Sequence, residues 1–141
     1  MLLEIHVEAG LLSIVATGKF SLEEAKRTFL QMLEAVALHK SKKVLFDGRE
    51  LLGKPETMER FYYGKFAARS VAESLERGVS PATQFAYALR EPVLDPRRFG
   101  ESVAVNRGMY VKAFNNPGEA LKWLGIAPAN KLDAGDALKR T

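Results

Sequence analysis

The sequence predicts a single α/β domain in which helices alternate with the strands of a mixed β-sheet. Two short apolar runs around a glycine open the chain, and three later apolar runs are separated by segments with helical patterns or helix-start residues. Strands separated by helices usually become parallel neighbours joined by right-handed crossovers. The predicted element order is therefore ββαβαβαβα, with about four helices and an antiparallel hairpin at one edge.

The opening hairpin is predicted from alternation. From Leu2 to Glu8 apolar and polar residues alternate, and the run from Leu11 to Ala16 is mostly apolar. Gly10 between them suits a tight turn, which favours an antiparallel hairpin.

The first helix has the clearest start and face. Ser21 followed by Glu24 is a capping-box pattern, in which each side chain binds a free backbone N–H of the other residue. Apolar residues recur at helical spacing as far as Val36, and the helix is expected to end near Lys40.

The central strand and the long helix follow. The run from Lys43 to Asp47 is short and continuously apolar, which is typical of a strand covered on both faces. The segment from Gly48 to Lys54 is predicted to be a loop. Pro55 suits the first position of a helix that runs to about Arg77, because its missing N–H has no partner there.

The rest of the chain repeats the alternation. A strand is predicted from Ala82 to Leu89, a helix opening at Asp95 and Pro96, and a strand from Met109 to Phe114. A short last helix is predicted to begin at Asn116. Residues 1–126 are expected to form the domain, and residues 127–141, which are small, charged and weakly patterned, a loosely ordered tail.

Composition excludes several classes of protein. The 141 residues contain no cysteine, so disulfides and thiolate zinc sites are impossible. The net charge of +4 comes from interspersed charges, and no nucleic-acid partner is expected. No apolar run approaches the ~20 residues of a transmembrane segment, and the start lacks a basic leader. A cytoplasmic location is the expectation.

Known catalytic and metal-binding motifs are absent from the sequence. It has no glycine-rich phosphate loop, no histidine pair on a helix and no nucleophile elbow. We expect no cofactor and no metal, and the balance favours a protein that is not an enzyme.

The long helix carries more aromatic residues than one buried face needs. Phe61, Ala68, Val71, Ala72 and Leu75 share the side predicted to be core. Tyr62, Tyr63 and Phe66 fall on the opposite side beside Arg69. This outer cluster predicts an interface for a protein partner or for self-association. The alternative is that the tail or a neighbouring helix covers these rings.

A polar site is predicted after the central strand. Asp47 ends that strand, where open α/β sheets place ligand crevices, and Arg49 and Glu50 follow it. The alternative is an aspartate that caps its own Asp-Gly turn.

Several short segments resemble one family when taken in order. They are Gly18 to Ser21, Lys43 to Asp47 with Arg49 to Leu51, Phe99 to Val103, and Glu119 to Leu124. Together they resemble the STAS domain of anti-sigma-factor antagonists, and more closely its SpoIIAA-like group, over residues 2 to 126.

The resemblance implies a regulatory role. STAS antagonists carry a serine after an aspartate at the start of the helix that follows the central strand, and its phosphorylation controls docking. Here the matching place is Glu56-Thr57-Met58, so Thr57 is the candidate phospho-acceptor. The Asp-Ser pair is missing, which implies that the switch is not retained. The group is also related to lipid-binding Sec14-like domains.

Three functions follow as hypotheses. The first is a non-catalytic regulatory or protein-binding module that docks through the helix from Met58 to Leu75 and the loop from Asp47 to Lys54. The alternative is a carrier or sensor of an apolar small molecule or lipid. The third is an enzyme with carboxylate chemistry at Asp47 and Glu50.

Overall fold

A five-stranded mixed sheet in sequential order, β1-β2-β3-β4-β5, forms the centre of the molecule. The computed structural model describes residues 1–126, and the predicted tail lies outside them. The strands are β1 (Leu2–Glu8), β2 (Leu11–Lys19), β3 (Lys43–Leu52), β4 (Gln84–Ala88) and β5 (Val111–Phe114). The helices are α1 (Leu22–His39), α2 (Thr57–Glu73), α3 (Phe99–Val105) and α4 (Pro117–Trp123). β1 is antiparallel to β2 and the other pairs are parallel, which confirms the predicted order.

The helices are divided unequally between the two faces of the sheet. One core joins residues of α1, α2 and α3 to one face of the sheet and includes Phe29, Phe46 and Phe85. A smaller core joins α4 to the other face through Leu45 and Leu121. The central part of β3 is therefore covered on both sides, as its continuous apolar run predicts.

The predicted caps form with one difference. The Ser21 hydroxyl accepts the Glu24 N–H at 3.2 Å, and Lys40 ends α1 in the left-handed conformation. The Glu24 carboxylate, however, binds the amino terminus of Met1 and the Arg27 guanidinium, each at 2.8 Å. A full positive charge is a stronger partner for a carboxylate than a neutral N–H, so only half of the capping box forms.

The prediction of a loop from Gly48 to Lys54 is wrong, because β3 continues to Leu52. Gly48 and Arg49 lie opposite the single residue Ala16 of β2, which makes a β-bulge in β3. The Asp-Gly pair that suggests a turn occurs instead at this bulge. β2 is also longer than predicted and supplies the backbone partners that keep the segment in the sheet.

Helix α2 differs from its prediction at both ends. It begins at Thr57 after the N-cap Glu56, so Pro55 precedes the helix instead of starting it. It ends at Glu73 and is followed by a 3₁₀ turn, Leu75–Arg77. Gly78 ends the helical path in the left-handed conformation, at φ 103°.

Close packing between α2 and α3 depends on two glycines. A β-carbon built on Gly64 would lie 2.6 Å from the Gly100 carbonyl oxygen, and one built on Gly100 would lie 3.2 Å from the Arg60 carbonyl oxygen. The helix backbones approach so closely here that no side chain fits between them. Gly64 therefore sets the position of α2 relative to α3.

Substitution Gly64→Ala is expected to destabilise the protein by about 1–3 kcal/mol, because the added methyl group overlaps backbone that cannot move aside. Helix propensity alone would favour alanine by about 1 kcal/mol. The expected loss of stability is therefore opposite in sign to the effect of helix propensity. Urea unfolding of both proteins measures the difference. Gly118→Ala in α4, whose nearest neighbour is a side-chain oxygen at 3.3 Å, is the control with a smaller expected effect. Equal effects at the two glycines would contradict the packing argument.

Candidate functional site

Adjacent tyrosines of α2 point to opposite sides of the helix. Tyr62 is 46% exposed. Tyr63 packs against the main core, and its hydroxyl lies 2.7 Å from that of Tyr87 on β4. The prediction that Tyr63 shares the outer face is therefore wrong. Ala72 and Leu75, predicted to be core, are exposed, whereas Gly64 and Ala67 are buried.

The error has a physical reason. The buried arc of α2 consists of small residues that allow α1, α3 and the sheet to approach from three directions. Helical periodicity predicts the buried side mainly from the large apolar side chains. In α2 most of the large side chains lie beside the buried arc and not at its centre, so the predicted side is displaced.

The outer side of α1 and α2 forms a basic and aromatic groove, which we call the α2 groove. It has a volume of about 200 Å³ and is lined by Lys26, Tyr62, Lys65, Phe66 and Arg69. The Lys26 ammonium lies 5.4 Å from the centre of the Phe66 ring. None of the ion pairs formed among residues 1–126 involves the three cations of the groove. The groove therefore presents positive charge that has no carboxylate partner in the described part of the chain.

Sequence reasoning found three of these five residues. It missed Lys65, although Lys65 follows Tyr62 by three positions and precedes Arg69 by four, which places it on the same helix face. Lys26 comes from α1, and only the packing of the two helices brings it to the groove.

At the predicted polar site, the Asp47 carboxylate is bound by the neighbouring residue Arg49. The Asp47 carboxylate accepts two hydrogen bonds from the Arg49 guanidinium, both at 2.9 Å, and one from the Arg49 backbone N–H at 3.2 Å. This contact raises the pKa of Arg49, and burial opposes it. Glu50 is exposed and forms no ion pair with either residue, although its charge contributes to the raised pKa of Arg49. The Asp47–Arg49 pair spans the β-bulge, which gives it a structural explanation.

Thr57, the candidate phospho-acceptor, is exposed at the first position of α2. It lies between the acidic residues Glu56 and Glu59, and the Glu59 carboxylate accepts the Glu56 N–H at 2.8 Å. A phosphate at a helix start gains from the helix dipole but loses from neighbouring carboxylates. Here the first turn already carries negative charge.

The structure also contains an apolar cavity that sequence reasoning did not locate. It has a volume of about 140 Å³ and lies between the sheet and helices α1, α2 and α3. Tyr63, Ala67, Tyr87, Ala104 and Val111 are among its lining residues. No single segment signals it, because each element contributes only one or a few residues, many of them small.

Burial changes the ionisation of the two tyrosines in this cavity. It raises the pKa of Tyr63 and of Tyr87 well above the ordinary value, because a phenolate is poorly solvated there. Both hydroxyls therefore stay neutral in the folded protein at any physiological pH.

Stability is expected to fall as the pH rises above about 10, the ordinary tyrosine pKa. In that range the unfolded chain releases the protons of Tyr63 and Tyr87 while the folded protein keeps them, so the folded state binds more protons and unfolding becomes more favourable. Each tyrosine contributes up to about 1.4 kcal/mol per pH unit. Urea unfolding across this range should give a smaller slope for the Tyr63→Phe/Tyr87→Phe variant. Identical slopes would show that the pair does not titrate in this way.

Residues 1–126 contain neither a metal-binding cluster nor a membrane-spanning helix. No group of three or more histidine and carboxylate side chains there is arranged to hold a metal ion. No helix of that region is long and apolar enough to span a membrane.

Comparison with solved structures supports the fold. The chain is similar to the crystal structure of an anti-sigma factor antagonist from Mycobacterium paratuberculosis, with a TM-score of 0.53 and 15% sequence identity. The similarity covers 87% of this chain and 92% of that chain. No family model and no curated protein matches the sequence. The predicted STAS fold is confirmed.

Proposed function

We propose that this protein is a non-catalytic regulatory module that binds a protein partner through the α2 groove. The observation that carries the proposal is the group of Lys26, Lys65 and Arg69 around two aromatic rings, with no carboxylate paired to any of them in residues 1–126. The similarity in fold to an anti-sigma factor antagonist supports a module that acts by binding another protein.

The groove indicates the chemistry of the partner. Three neighbouring positive charges favour an acidic segment, because opposite charges steer association and select among partners. Tyr62 and Phe66 provide aromatic surface, and tyrosine and arginine are frequent at the centres of interfaces. The proposed partner therefore carries an acidic segment with at least one apolar side chain.

The proposed docking surface is smaller than the sequence alone suggests. The segment from Asp47 to Lys54 belongs largely to β3, and its aspartate is bound to Arg49. The proposal therefore uses α2 and α1, and assigns the Asp47–Arg49 pair to the stability of the bulge.

A photo-crosslinking amino acid in place of Tyr62 should capture the partner in cells of the source organism. The same residue in place of Tyr110, which is 49% exposed, is the matched control and should not capture it. The crosslinked peptide is expected to be acidic. With the purified partner, Arg69→Glu should weaken binding about tenfold or more, equivalent to about 1.4 kcal/mol, because a repulsive charge replaces an attractive one.

The control for charge is Arg90→Glu, an exposed arginine outside the groove, which should leave the affinity unchanged. The proposal fails if Arg69→Glu and Tyr62→Ser both bind the partner as the unmodified protein does. Crosslinks only between two copies of this chain would indicate self-association instead.

The proposed module works without phosphorylation of Thr57, because a phosphate there would be added beside Glu56 and Glu59. After incubation with ATP and a lysate of the source organism, the intact mass should show no added phosphate on Thr57. A Thr57→Ala variant serves as the control for other sites. If phosphate is found on the unmodified protein and not on this variant, Thr57 is phosphorylated and the proposal that the module works without the phospho-switch is wrong.

A further inference from the structure

We infer that the apolar cavity is a binding site for a small neutral ring compound with one hydrogen-bonding oxygen. The inference is independent of the proposed partner surface, because the cavity and the α2 groove lie on opposite sides of α2 and share no lining residue. The size of the cavity, its charge and its hydroxyl pair each limit the ligand.

The volume of the cavity favours a ligand with a single ring over a long lipid. The cavity volume is about 140 Å³. An engineered cavity of about 150 Å³ with apolar walls remains dry and binds benzene. A compound with one six-membered ring therefore matches this space, which is too small to enclose a whole acyl chain of a membrane lipid.

The charged side chains at the cavity already have partners. Arg60 donates to the backbone oxygens of Pro92 and Val93 at 2.7 and 2.8 Å. Glu101 accepts the Ala113 N–H at 2.7 Å. The other two, Asp95 and Arg98, likewise bind backbone groups. Because all four hold the surrounding backbone in place, the cavity suits a neutral ligand.

The hydroxyl pair supplies the specificity. Tyr63 and Tyr87 both line the cavity, and their oxygens are 2.7 Å apart. One hydroxyl donates its proton to the other, so the second proton remains available for another acceptor. Among residues 1–126 the two hydroxyls hydrogen-bond only to each other. An oxygen of the ligand would accept that proton, and a donor on the ligand would find the remaining lone pairs.

The test uses two compounds of equal size, phenol and toluene, which differ by a hydroxyl in place of a methyl group. Titration of the isotope-labelled protein is followed by NMR through the methyl groups of Ala104, Val111 and Ala113, which line the cavity. Both compounds are expected to shift these signals. In the Tyr63→Phe/Tyr87→Phe variant, phenol should bind about tenfold more weakly, whereas toluene binds as well or better, because only the hydrogen bond is lost.

The matched control is Tyr62→Phe/Tyr110→Phe, which makes the same chemical change at the two exposed tyrosines and should alter neither affinity. If the double variant in the cavity does not fold, Ala113→Leu fills the space from the sheet and should abolish binding of both compounds. The inference is overturned if neither compound shifts the lining methyl groups, which would indicate a cavity that holds only water. It is also overturned if the ratio of phenol to toluene affinity is the same in all variants.

Discussion

The contact between α2 and α3 at Gly64 and Gly100 is the constraint on which the rest of the helical layer depends. A β-carbon on Gly64 would lie 2.6 Å from the Gly100 carbonyl oxygen, so α2 can lie this close to α3 only without a side chain there. That position brings Tyr63 over the sheet, where its hydroxyl meets Tyr87. It also leaves Tyr62 facing away from the core, beside Lys65 and Arg69.

Helix α2 thus separates two environments with different chemistry. Its inner side borders a mostly apolar cavity in which the hydroxyls of Tyr63 and Tyr87 bind each other and the charged side chains bind backbone groups. Its outer side carries positive charge next to aromatic rings. Small apolar molecules and acidic protein segments would be selected by different physical effects, burial in the first case and charge in the second. The two proposed kinds of recognition would therefore use different sides of α2.

The limits of sequence reasoning are clearest in β3 and α2. Asp47-Gly48 has the composition of a turn, but β2 offers backbone partners as far as Leu52 and the Asp47–Arg49 pair spans the bulge. Sheet pairing outweighs the local turn preference here because hydrogen bonds to β2 satisfy backbone N–H and C=O groups of the segment from Glu50 to Leu52. In α2, tertiary packing on small residues decides the buried side, and a pattern of large apolar residues does not reveal it.

The sequence by itself determined the element order, the helix starts at Ser21 and Asn116 and the end of α1 near Lys40, because these depend on neighbours along the chain. The order of short family-like segments also indicated the STAS fold. It also indicated Tyr62, Phe66 and Arg69 as an outer cluster. Only the tertiary structure decided that Tyr63 faces inward, that Lys26 completes the groove, and that a cavity lies beneath α2. The physical reason is that each of these features joins side chains from separate elements. Their distances depend on how closely helices approach each other, and that approach is set by packing at Gly64.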